Sequence, residues 1–237
     1  MEVLIWLLYL MIGGSTAFLC DEMSCNASPL EELARLNFKP NETELLRLCP
    51  PTLDFFNCLF KGAEDCFGMN VEEIAESDDA IASTIAKSLL KARSLAVEMC
   101  DEDSPLRRDY LENVECFDRL VAKANEIDDC TDKGETYADA FLRQWHHLKE
   151  ENVDWSEKRC LEQAYGYACF VEKLDITCGE VARRTLLTIL KKAKHALFTE
   201  CEIENPLGLK RAFLDYLELG EKTSELYWYI FETFKRR

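Results

Sequence analysis

The 237-residue sequence predicts an all-α protein made of two disulfide-stapled helical repeats joined by a linking helix. Three observations carry that reading. Apolar residues step by three or four positions through most of the chain, which is the spacing of one helix face. Twelve cysteines, an even number, fall at spacings that recur in the two halves. A short motif also repeats: CDEDSPLRRDYL at 100–111 returns as CEIENPLGLKRAFL at 201–214. No stretch shows the strict alternation of a half-buried strand.

The elements follow in chain order. Val3 to Ile12 is an unbroken apolar run, too short to cross a bilayer. Ser15-Thr16-Ala17 behind it suits a small-x-small cleavage site, so 1–17 is expected to be a signal peptide, although Glu2 stands where a basic residue is usual. The C-terminal FETFKRR is neither a retention nor a lipid-anchor signal. Residues 18–43 form a polar N-terminal arm with two sequons, Asn26-Ala27-Ser28 and Asn41-Glu42-Thr43, at which glycans are expected.

Repeat one covers 44–130. It opens with Cys49-PPTLDFFN-Cys58-LFKGAED-Cys66. Asn70 with Glu73 then reads as a capping box ahead of a helical run to Cys100. Ser104 as N-cap and Pro105 at the first helical position start the next helix, where the missing proline N–H costs nothing. Leu106, Tyr110, Val114, Phe117, Val121 and Ala124 form its apolar stripe. The linking helix, 131–153, shows Tyr137, Phe141, Trp145 and Leu148 on one face. Repeat two covers 154–237. Asp154 with Glu157 marks its N-cap, and Cys160-LEQAYGYA-Cys169-FVEKLDIT-Cys178 echoes the first repeat. A helix then runs to Cys201, and Asn205-Pro206-Leu207 repeats the corner. In the last helix, Leu226, Tyr227, Ile230, Phe231 and Phe234 share a face that Trp228 and Tyr229 widen. That stripe suits a core-docked helix, the wall of an apolar pocket, or a partner surface.

Six disulfides are expected from the cysteine count in an oxidising compartment. Tight C-x-x-C pairs, the mark of a zinc site, are absent. Two cysteines nine apart on one helix are separated by roughly 13 Å along its axis, whereas a disulfide needs Cα atoms within about 7 Å. This excludes Cys160–Cys169 if that segment is helical. In an antiparallel hairpin the residues flanking the turn meet, as do the far ends. The expected pairs are therefore Cys58–Cys66 with Cys49–Cys100, and Cys169–Cys178 with Cys160–Cys201. Cys20, Cys25, Cys116 and Cys130 remain and are expected to tie the arm to the third helix of repeat one.

The formal charge of −17 disfavours phosphate backbones and anionic membranes. Histidine occurs only at His146, His147 and His195, with no metal-binding or nucleophile motif around any of them. The acid clusters CDEDS and AESDDA lack the spacing and turn glycine of a calcium loop. The expectation is a secreted, acidic, non-enzymatic glycoprotein with no cofactor. It would bind or carry an apolar small molecule or an extracellular protein; the alternative is a secreted effector, such as a venom or salivary component or an inhibitor of a protein target.

The Cys49-PPTLDFFNC stretch, Cys66 and MCDEDSPLRRDYLENVECF resemble a loose group of secreted proteins. These are the cysteine-rich, helical haemolymph-glycoprotein type of arthropods and a nematode secreted domain of unknown function with many ordered cysteines. The resemblance covers about residues 49 to 201. It implies a signal peptide, disulfides, glycosylation and an extracellular role, and it carries over no catalytic residue. Leu217 stands where a strict duplicate of Cys116 would lie.

Overall fold

The computed structural model describes residues 25–36, 39–122, 124–146, 154–197 and 206–233. The expected signal peptide, Cys20, His147, Cys201 and Phe234 lie outside them. Among the described residues the chain is all-helical, with nine helices and no strand. In chain order they are α1 Ser28–Arg35, α2 Glu42–Phe67, α3 Val71–Ala75, α4 Ala80–Cys100, α5 Pro105–Ala122, α6 Ala124–Trp145, α7 Trp155–Leu197, α8 Pro206–Tyr216 and α9 Glu221–Thr233. They divide between two compact units. The first is Met1–Val114 with Thr188–Phe198, and the second is Glu115–Leu187 with Thr199–Arg237.

The first unit is built on α2, with α1, α3 and α4 packed against it. Asn41 caps α2: its Oδ1 accepts from the Glu44 N–H at 3.0 Å, and Glu44 accepts from the Asn41 N–H. Asn70 and Glu73 form the same reciprocal box at α3, as their spacing predicts. Gly68, at φ 65°, ends α2 in the left-handed conformation that glycine adopts without a Cβ penalty. Phe55, Phe56 and Leu59 of α2 bury against Leu30, Leu89, Ala92 and Ala96. Ala63, Val71, Ile74, Ala75 and Ala86 close the other end.

The α4-to-α5 corner is the repeated motif of the sequence. Helix α4 ends at Cys100 and α5 begins at Pro105. The buried Arg107 donates from Nη1 to the Cys100 carbonyl at 3.3 Å, which satisfies an acceptor at the end of α4. The buried Tyr110 hydroxyl donates to the Pro40 carbonyl at 3.0 Å and so ties the corner to the residue before the α2 cap. At the second corner α8 begins at Pro206, and 201–205 lie outside the described residues.

In the second unit α6 packs beside α7. Gly134 allows their close approach, since a Cβ there would lie 3.1 Å from the Glu162 carbonyl oxygen. Asp154 caps α7, its Oδ1 accepting from the Ser156 and Glu157 N–H groups at 2.9 and 3.0 Å. Helix α7 is broken at Gly179 (φ 84°, ψ −179°). Leu174 and Ala182, on either side of the break, share one apolar cluster with Phe170, Leu186, Phe117 and Leu120. Asp175 and Arg183 form an ion pair at 3.2 Å. The helix axis therefore turns at Gly179.

Four disulfides join described residues: Cys25–Cys58, Cys49–Cys100, Cys116–Cys178 and Cys130–Cys169. Cys66 and Cys160 are also disulfide-bonded. Cys49–Cys100 is the outer pair that the hairpin geometry predicts. The expected inner pairs do not form. Cys58 and Cys66 both lie on α2, and Cys169 and Cys178 both lie on α7 ahead of its break. Each pair is eight or nine residues apart on one helix, so the axial distance that excludes Cys160–Cys169 excludes them too. The turns lie just beyond these cysteines, at Gly68 and Gly179. The expectation that the other four cysteines tie the arm to the third helix of repeat one also fails: the arm is joined to repeat one, but at its first helix. Cys25 reaches α2, while Cys116 and Cys130 reach α7. The expected Cys160–Cys201 pair involves a residue outside those described.

Candidate functional site

The aromatic residues that mark α6 and α9 in the sequence meet in the second unit. Phe141 of α6 lies 5.2 Å from Phe213 of α8, ring centre to ring centre, and 5.5 Å from Tyr216. Phe213 stacks at 6.3 Å on Phe231 of α9, and Tyr227 lies 5.6 Å from Tyr165 of α7. Tyr227, Ile230 and Phe231 are buried, so the C-terminal aromatic stripe is spent on the core. Trp228 takes the Arg211 guanidinium over its ring at 5.1 Å. Tyr229 is left on the surface.

Two polar groups, Glu172 and Lys210, find partners inside this core. Glu172 accepts from the Thr223 hydroxyl at 2.9 Å and from the Tyr227 hydroxyl at 3.3 Å. The fully buried Lys210 donates from Nζ to the Phe231 carbonyl at 3.3 Å, near the negative end of α9. Outside the core, Asp129 bridges Lys173 at 2.9 Å and Lys133 at 3.0 Å. The hydrogen bond from Lys173, then that from Lys133, holds its carboxyl below the usual range.

Burial sets the phenols. It pushes Tyr165 up to about 12, with the neighbouring Tyr137 adding to the effect. Burial pushes Tyr167 and Tyr227 higher still, Tyr227 with help from Tyr165 and Glu172. The folded chain thus holds these protons where an unfolded chain, with phenols near 10, releases them. The stability this confers is complete below about pH 10 and is lost as pH rises toward 12. In a spectrophotometric titration at about pH 11, these three of the eight tyrosines should stay un-ionised and then ionise when denaturant is added. Complete ionisation of the folded protein at that pH would contradict their burial.

The outer end of the α6–α7 pair is different in character. Trp145 is 49% exposed and Trp155 is 68% exposed. His146 Nε2 and Glu157 Oε2 meet at 2.6 Å, so the ends of the two helices that carry these tryptophans are held together. Trp145 stacks on Phe141 at 5.7 Å, and Arg159 lies over Trp155 at 4.9 Å. Lys158 pairs with Glu135 at 2.9 Å beside them. Trp145 is anchored from below and Trp155 from one side, and each leaves ring surface to solvent. Sequence reasoning places Trp145 in an apolar stripe and misses Trp155. Its signal is a tryptophan at the first position of a helix, off the apolar face.

No protein-family model, no curated protein and no solved structure matches the chain. Its own residues therefore carry the functional reading. Both sequon asparagines are exposed. Asn26 Oδ1 accepts from the Ser28 N–H at 3.0 Å and Asn41 Oδ1 accepts within its cap, whereas a glycan would join the amide nitrogen. The described side chains include no group of three His, Cys, Asp or Glu that could hold a metal ion. The His195 side chain is outside that set.

Proposed function

We propose that the protein is a secreted, acidic, non-enzymatic glycoprotein that binds an extracellular partner, and that it is built of two helical disulfide modules in tandem. Four disulfides fit an oxidising compartment, and no described helix is long and apolar enough to cross a membrane. The observation that carries the binding reading is the exposed pair Trp145 and Trp155. Tryptophan is rarely left to solvent and is enriched where partners bind, because one rigid side chain offers a large apolar area at low entropic cost. Such a surface suits a protein ligand better than a small molecule held in a cavity. It also suits the second reading, a secreted effector or inhibitor, which would turn the same surface on a foreign target.

Native mass spectrometry of the protein from its own extracellular fluid tests the binding. A co-purifying protein partner is expected, and the Trp145→Ala/Trp155→Ala double variant should lose at least about tenfold in affinity for it. Undiminished binding by that variant would remove the tryptophan surface as the site. Intact mass of the same material tests secretion and modification. A chain beginning near Phe18 with glycan mass at Asn26, Asn41 or both is expected; the mass of the uncleaved, unmodified chain would overturn this.

A further inference from the structure

The bridges carry an order that the helix pattern alone does not show. Numbered along the chain, the first six cysteines are Cys20, Cys25, Cys49, Cys58, Cys66 and Cys100, and the last six are Cys116, Cys130, Cys160, Cys169, Cys178 and Cys201. Cys25–Cys58 joins the second to the fourth of the first set. Cys130–Cys169 joins the second to the fourth of the second set. Cys49–Cys100 is third to sixth in one set, and Cys116–Cys178 is first to fifth in the other. These connections are compatible with a single scheme. No described bridge crosses between the sets.

We infer that both modules follow one pairing rule, first to fifth, second to fourth and third to sixth, which assigns the cross-links Cys20–Cys66 and Cys160–Cys201. Cys66 and Cys160 are each disulfide-bonded, as the rule requires. Six cysteines admit some 15 pairings, so agreement at the bridge both sets display is informative. The division of the chain into units at Val114 and Glu115 falls between the sixth and seventh cysteines. Helix α6 then belongs to the second module through Cys130 rather than linking two others. The anomaly at Leu217 disappears as well. Cys116 opens the second module and answers to Cys20, so nothing after the second corner need answer to it.

Geometry supports the rule. In the first unit α1 lies against α2 with Cys25 on Cys58 and Glu32 paired to Arg47, so the two segments run antiparallel. In the second unit Cys116 meets Cys178 and Cys130 meets Cys169, again antiparallel, the earlier cysteine reaching the later one. A cysteine shortly before Cys25 therefore belongs with one shortly after Cys58, and Cys66 is that residue.

Non-reducing peptide mapping decides the matter. The full chain is expressed through a eukaryotic secretory pathway, alkylated at low pH, digested and sequenced by tandem mass spectrometry. Peptides joining Cys20 to Cys66 and Cys160 to Cys201 are expected. In Cys66→Ser the single free thiol should label at Cys20. A Cys20–Cys160 or Cys20–Cys201 peptide, or a thiol appearing at Cys160 or Cys201 in Cys66→Ser, would overturn the rule. The inference rests on the secreted reading only in requiring an oxidising compartment. Where the native protein resides is read separately from its intact mass, so either conclusion can fail without the other.

Discussion

Full reduction should unfold this protein at 37 °C. The four bridges between described residues close loops of 33, 51, 62 and 39 residues. Chain-entropy reasoning assigns about 4 kcal/mol to a loop of this length. The loops overlap, so the values do not add, yet two of them already rival the roughly 5–15 kcal/mol that holds a typical domain folded. Helix propensity cannot substitute. The interior of α2 contains Pro50 and Pro51, and α7 is broken at Gly179. Circular dichroism in excess reductant should show most helix lost at 37 °C, while the oxidised protein keeps it. A reduced, alkylated chain that still melted cooperatively above about 50 °C would mean that packing alone suffices.

Phe213→Ala should be the most damaging single core substitution in the second unit. Phe213 is fully buried, and its ring meets Phe141, Tyr216 and Phe231, which brings α6, α8 and α9 together. Removing it deletes that junction and leaves a cavity, at a cost of about 3–5 kcal/mol. For a chain of this size that lowers Tm by roughly 6–20 °C. Trp155→Ala is the control. The residue is larger but mostly exposed, so its loss should change stability by about 0.5 kcal/mol or less. Comparable melting shifts for the two variants would contradict the burial pattern.

Local features are legible in the sequence because local physics fixes them. The Asn70–Glu73 box, the Asp154 cap and the Pro105 start rest on groups within four residues of one another, and all appear where their spacing places them. Residues that meet across helices are harder to read. The inner disulfides expected from the hairpin fail because that hairpin puts its turn between two cysteines, whereas Gly68 and Gly179 put it after both. A shift of that kind changes which helix a cysteine occupies without changing the apolar period. The C-terminal stripe of Tyr227, Ile230 and Phe231 shows the same limit. Its period marks a face, and only the fold reveals that Phe213 and Tyr165 already cover it. Asn41 shows how one residue serves two signals, sequon and N-cap, of which the sequence reading takes only the first.

Pulled at Cys25 and Cys178, the chain between them would be a short tether rather than a long string. Backbone alone, the stretch from Cys25 to Cys178 could be drawn out to about 500 Å. The bridges offer a shorter covalent route: across to Cys58, back nine residues to Cys49, across to Cys100, on sixteen to Cys116, and across to Cys178. Only about 25 residues of backbone remain on that path, so the stretch is taut near 100 Å. Force applied there is borne by sulfur–sulfur and backbone bonds before the helices have fully uncoiled. The slack sits in side loops that carry no tension.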